Sequence, residues 1–80
     1  MRIGVVTRSD RDTVESYLGF GYAIVEEARS WRDGVALFVV EGPDDHAEWQ
    51  ARRLDVGLHF TTVFKSDGDE QAWRNLWMKT

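Results

Sequence analysis

Apolar residues recur with two different periods along this chain, and the changes of period mark out seven elements. The β-branched run "RIGVVTRS" (2–9), closed by polar turn residues, predicts a first strand. In "SDRDTVESYLG", Ser9 or Asp10 is a candidate N-cap and acids fill the first turn. Val14, Tyr17 and Leu18 fall at helical spacing before Gly19, which predicts a short helix. The same stretch also fits a hairpin, with "DRD" as the turn and "TVESYL" as the returning strand. "FGYAIVEEAR" and "GVALFVVEG" are strand patterns joined through Asp33-Gly34, a favoured hairpin turn. Pro43, Asp44 and Asp45 open a second helix, on which Ala47, Ala51, Leu54 and Leu58 form one stripe, with Gly57 as the expected stop. "LHFTTVFKS" alternates as a fourth strand, and Asp67 with Glu70 resembles a capping box at the start of a terminal helix, 68–79.

The order β-α-β-β-α-β-α predicts a single α+β domain spanning 1–80. Its first six elements match the ferredoxin-like split βαβ arrangement, a four-stranded antiparallel sheet with two helices on one face, and the last helix is an addition. Strand alternation sorts side chains into two layers. Ile3, Val5, Phe20, Tyr22, Ile24, Val35, Leu37, Val39, Phe60 and Phe64 are expected beneath the two helices. The opposite face centres on Val6, Val25, Phe38 and Val63 within a mostly basic rim, a patch that a soluble monomer would not leave open. Trp73, Leu76 and Trp77 share one side of the terminal helix, so that helix is expected to cover the patch. The alternatives are a dimer, with or without exchanged helices, and a helix left free for a partner.

Composition narrows the classes. Eighty residues, 42% hydrophobic and 30% charged, are ordinary for one small globular domain that must bury most of its apolar side chains. The net charge of −4 argues against a protein held on nucleic acid by its whole surface. "MRIGVV" meets charge at once, which is the pattern of neither a signal peptide nor a membrane span. The lack of cysteine suits a reducing cytoplasm.

Candidate chemistry is sparse. Asp44, Asp45, His46 and Glu48 gather metal-ligating types, but only Asp45 and Glu48 share a helical face, and no His-x-x-x-His spacing occurs; helix-start acids explain the cluster better. His46 and His59 lack a nucleophile to serve, and "YLGFGY" is not a phosphate loop. No catalytic residue, cofactor or metal is therefore expected. RNA-binding modules use the open face of such a sheet, yet here Phe38 alone would offer a stacking ring. Trp31 is expected at an exposed hairpin tip. Trp49 lies about 200° around the second helix from Ala47, with Arg52, Arg53 and Val56 at neighbouring positions. It reads either as a ring lying under Arg53 or as an interface hot spot.

Two stretches resemble a known group. "DRDTVESYLGFGY" is similar to the Asp-Arg-x-Thr-Val-x-x-Tyr-Leu segment of small uncharacterised proteins of actinobacterial phages. Asp45, Ala47 and Trp49, followed by Arg53, Leu54, Gly57 and Leu58, resemble their Asp-x-Ala-Gly-Trp and Arg-Leu-x-x-Gly-Leu segments, with Glu48 in place of the glycine. The resemblance implies an origin rather than an activity. The combined expectation is a non-catalytic protein of a bacterial cytoplasm that binds a host or phage protein through Trp31, Trp49, Arg52 and Arg53. A homodimer is possible. A nucleic-acid module and a small enzyme are the lesser alternatives.

Overall fold

The computed structural model describes residues 1–30, 34–57 and 60–78. Strands β1 (Arg2–Thr7), β2 (Ala23–Arg29), β3 (Ala36–Glu41) and β4 (Phe60–Phe64) form one sheet in the order β2-β3-β1-β4. Every neighbouring pair is antiparallel. Helices α1 (Arg11–Ser16), α2 (Ala47–Gly57) and α3 (Asp67–Trp77) complete an α+β architecture, with a 3₁₀ turn at Asp44–His46 leading into α2. The hairpin alternative for the first helical segment is excluded. Asp10 caps α1 by accepting a hydrogen bond from the Thr13 amide at 2.8 Å, and the helix closes at Tyr17. The Thr13 side-chain hydroxyl first, and its amide second, hold the Asp10 carboxyl below its ordinary value. Helix α3 starts one residue before the expected box: Ser66 caps it, and Asp69 reaches back to the Lys65 amide at 2.9 Å. Glu70 is thereby left to pair with arginine.

The sheet is covered on both faces. Ile3, Val5, Ala36, Phe38 and Val40 pack with Val14 of α1 and Ala51 and Leu54 of α2, and Tyr22 joins this layer from the turn before β2. On the other face Val6, Leu37, Val39 and Phe64 pack against Trp73 of α3. Helix α3 of this same chain therefore lies on the second face. The residues beneath it differ from those expected. Phe38, 1% exposed, and Val63 pack on the α1–α2 side, while Leu37, Val39, Phe60 and Phe64 belong to the α3 side. The reason is that β3 is apolar on both faces, so its alternation carries no label for either layer. Register decides instead, pairing Val5 with Phe38 and Ile3 with Val63.

Val25 also leaves the expected layer. The β2–β3 register slips between Ile24 and Glu26, which makes Val25 the extra residue of a bulge, 50% exposed. The slip inverts the parity of the rest of β2, turning Glu26 and Ala28 toward α3 and Glu27 toward α1, where Arg11 pairs with it. Leu76 is half-exposed, and Trp77 is half-buried with its ring 6.1 Å from that of Phe60.

Trp73 fits because β1 carries no side chain beneath it. A Cβ on Gly4 would stand 2.6 Å from Trp73 Cε2 and 2.5 Å from Phe64 Cζ, whose rings meet edge-on at 5.3 Å. Around this contact Arg74 donates to both carboxylate oxygens of Glu26, at 2.5 and 2.8 Å, and to Glu70 at 2.8 Å. Arg2 approaches Glu70 from β1 at 3.5 Å. The hydrogen bonds from Arg74 hold the Glu26 carboxyl below its ordinary value of 4.5.

Gly4→Val is expected to evict Trp73 and destabilise the fold by about 1–3 kcal/mol, the range of overpacked cores, read as a lower urea midpoint. The Glu26–Arg74 pair sets a pH dependence. A folded-state value below the unfolded one adds stability that is complete above 4.5 and is lost as pH falls through the depressed value. Since Glu26 is partly solvated, that contribution is at most about 1 kcal/mol. Glu26→Gln should therefore lose less stability than the native chain as pH falls below 4.5. An equal loss in both proteins would remove the pair from the acid response.

Candidate functional site

With both sheet faces covered, the most exposed apolar groups, Phe20, Val56 and Trp49, lie on α2 and the turn that follows α1, while Val25, Phe60 and Leu76 are half-exposed elsewhere. The turn Gly19–Tyr22 is closed by the Tyr22 amide donating to the Gly19 carbonyl at 3.1 Å. Gly21 adopts φ 88°, the left-handed geometry that the third position of a type II turn requires. Phe20, at the second position, is consequently thrust into solvent, with its relative exposure at 102%. Beside it Trp49 is 54% exposed and Val56 85% exposed on the outer side of α2.

This turn is held from both ends. Gln50, wholly buried, accepts from the Gly19 amide at 2.6 Å and donates to the Tyr17 carbonyl at 2.9 Å. One amide side chain thus satisfies the open end of α1 and fixes the chain entering the turn. Arg53 adds a bond from Nε to the same Tyr17 carbonyl at 3.2 Å, and its guanidinium lies 5.7 Å from the Trp49 ring centroid. Trp49 rests on Gly19, where a Cβ would come within 2.8 Å of its Cζ3. At the other end the Tyr22 hydroxyl donates to the Pro43 carbonyl, and its ring leaves no room for a Cβ on Gly42. Burial first, then the negative charge of Asp45 and Asp44, pushes the Tyr22 phenol above its ordinary value, so it remains a neutral donor.

Trp49 is the shared wall of two open clefts. One, of about 600 Å³, is lined by Tyr17, Trp49, Arg52, Arg53 and Val56. The other, of about 520 Å³, is lined by Phe20, Tyr22, His46 and Trp49. Together they form an aromatic ridge along α2 with guanidinium groups at one end. At the other end Asp45 is exposed 3.8 Å from His46 Nε2, and Asp44 is paired with the Met1 ammonium at 2.5 Å.

Three of the four partner-binding residues expected from sequence, Trp49, Arg52 and Arg53, come together here; Trp31 lies outside the described residues, as does His59. Trp49 lies beside the Arg53 guanidinium, as the first of its two readings expects, and is 54% exposed. Sequence reasoning misplaced Phe20 in the core layer and overlooked Gln50. The available signal was "GFG": an aromatic residue between glycines, one of them in a left-handed turn, is a poor strand start. Among the described residues no group of three or more acidic, histidine or cysteine side chains is placed to hold a metal. No helix among them is long and apolar enough to cross a membrane. Comparison with protein-family models, with curated proteins and with solved structures finds no match.

Gln50→Leu keeps the volume roughly constant but strands the Gly19 amide and weakens the hold on the Tyr17 carbonyl. The expected cost is about 1–3 kcal/mol for a buried group left unpaired. Hydrogen exchange at the Gly19 amide should accelerate well beyond what that global loss explains; exchange that tracks global stability alone would deny Gln50 its role in fixing the turn.

Proposed function

We propose that this domain is a non-catalytic protein-binding module that engages its partner through the ridge of Phe20, Trp49 and Val56, with Arg52 and Arg53 beside it. Phe20 carries the reading. A phenylalanine that touches nothing adds nothing to folding, yet the chain uses two glycines, a buried glutamine and a buried tyrosine to hold its turn in place. Full burial of such a side chain against a partner contributes about 1.5–3 kcal/mol, and Trp and Arg are the residue types that dominate interface energies. A turn already fixed also spares the ordering cost that flexible loops incur on binding.

The fold supports the same reading. The strand order is taken as the ferredoxin-like split βαβ arrangement with α3 added on the face through which RNA-binding relatives of that architecture act. Phe38, which a nucleic-acid module would need exposed, is buried under α1 and α2. The likeness of the Asp10–Tyr22 and Asp45–Leu58 segments to small actinobacterial phage proteins supports a phage or mobile-element origin and action in the bacterial cytoplasm. Both segments contribute to the ridge.

The test is affinity capture from bacterial host lysate on the native domain and on Phe20→Ser, Trp49→Ala and Arg29→Ala variants. Phe20→Ser should leave stability within about 0.5 kcal/mol of native, since the side chain is fully exposed. A specific partner should be held by the native and Arg29→Ala proteins and lost from the other two. Equal capture by all four would end the ridge reading.

A further inference from the structure

The two arginines of the ridge differ from those that hold the fold together. Arg2, Arg11 and Arg74 each pair with carboxylates within the chain. Arg52 and Arg53 have no ion pair among the described residues, although the chain carries a net charge of −4 and has acids to spare. Arg53 is also set in place. Its Nε is engaged by the Tyr17 carbonyl at 3.2 Å and its plane lies by Trp49, which leaves its two terminal nitrogens directed to incoming groups. A guanidinium held in this way suits a carboxylate, which it can bind through two parallel hydrogen bonds.

The opposite end of the ridge has the reverse character. Asp45 stands exposed beside His46, which lines the Phe20 cleft, while Asp44 is paired with the Met1 ammonium and borders a separate cleft with Arg2 and Lys65. A ligand lying along α2 therefore meets guanidinium charge, then Trp49, then a Phe20–Tyr22 slot with the Asp45 carboxylate beyond it. A nucleic-acid strand, with negative charge at each step, would be repelled at that end.

Resting on the protein-binding reading above, we propose that the occupant is a partner segment with a carboxylate side chain adjacent to an aromatic or large aliphatic one. The carboxylate sits over Arg52 and Arg53, and the apolar side chain enters between Phe20 and Trp49. The segment thus has a fixed direction along α2, acidic toward Val56 and apolar toward Pro43.

The probe is a displayed library of random twelve-residue peptides, selected on the native domain alone; the enriched peptides are then measured against Trp49→Ala and Arg52→Glu. Arg52 is exposed on the helix surface, so its reversal keeps the fold. Enriched peptides should carry Asp or Glu within about four positions of Phe, Trp, Leu or Ile, one helical turn or a short extended span. Their synthetic forms should lose at least about tenfold in affinity on Arg52→Glu and on Arg53→Gln, as for truncated interface anchors, and should weaken with added salt. Peptides that depend on Trp49 but lack acids, or that survive Arg52→Glu, would overturn the carboxylate assignment and leave the protein-binding reading standing. Peptides indifferent to Trp49, or no enrichment, would overturn both. Tighter binding of oligo-dT than of any selected peptide would assign the ridge to single-stranded nucleic acid and reject the proposal. So would a concentration-dependent dimer abolished by Trp49→Ala, in favour of a second copy.

Discussion

The contact between Trp73 and the bare backbone of Gly4 determines which surfaces this protein has left to use. A strand residue without a side chain opens a slot at the middle of β1, and a large ring from α3 occupies it beside Phe64. Because the slot is filled, Leu37 and Val39 are sealed on the α3 side as completely as Phe38 and Val40 on the other. An 80-residue chain thereby gains a three-layer arrangement from a four-stranded sheet. The cost is visible in the same place: the Trp73 indole nitrogen is buried with no hydrogen-bond partner among the described residues. Ring burial and the edge-on contact outweigh that loss, since an aromatic side chain removes some 150–250 Å² from water.

Closing both faces has a second consequence, for charge. Three arginines tie helices to the sheet through ion pairs, Arg74 with Glu26 and Glu70, Arg2 with Glu41 and Glu70, Arg11 with Glu15 and Glu27. These pairs tie α3 and α1 to the strands beneath them and orient the helices more than they stabilise them, because exposed pairs contribute little. On α2 and the turn after α1, by contrast, Arg52 and Arg53 carry no ion pair among the described residues, and Phe20 and Val56 are the most exposed apolar side chains. The division between cohesion and presentation is thus drawn by which helix meets the sheet on which face.

How far this was legible from the residues depends on how much each segment distinguishes its two sides. The elements and their order were legible, because Asp10, Ser66 and the Gly-Pro step before α2 punctuate the chain where backbone hydrogen bonding requires it. That Trp73 seeks the sheet was legible too, from its spacing with Trp77. Its exact seat was not. "ALFVV" is apolar at every position, so nothing local says whether Phe38 or Leu37 faces α3, and the bulge at Val25 reverses parity midway through β2 with no glycine to announce it. Gln50 was illegible for another reason: its two partners are backbone groups 31 and 33 residues away, and no side-chain pattern encodes them.

The same long-range bonds explain why the ridge is more than a set of exposed residues. Trp49, Gln50 and Arg53 are near neighbours on α2, but they face three ways: onto Gly19, into the core toward Tyr17, and outward along the guanidinium. One helix therefore reads the position of the turn and fixes Phe20 relative to its own Trp49. If the turn moved, the partly buried Gly19 amide would lose its acceptor and the buried Gln50 side chain its partner. The backbone that carries Phe20 is thus tied to the helix that carries Trp49. Under the proposed binding role, such a surface would draw affinity from shape and charge already in position, its arginines as much as its rings.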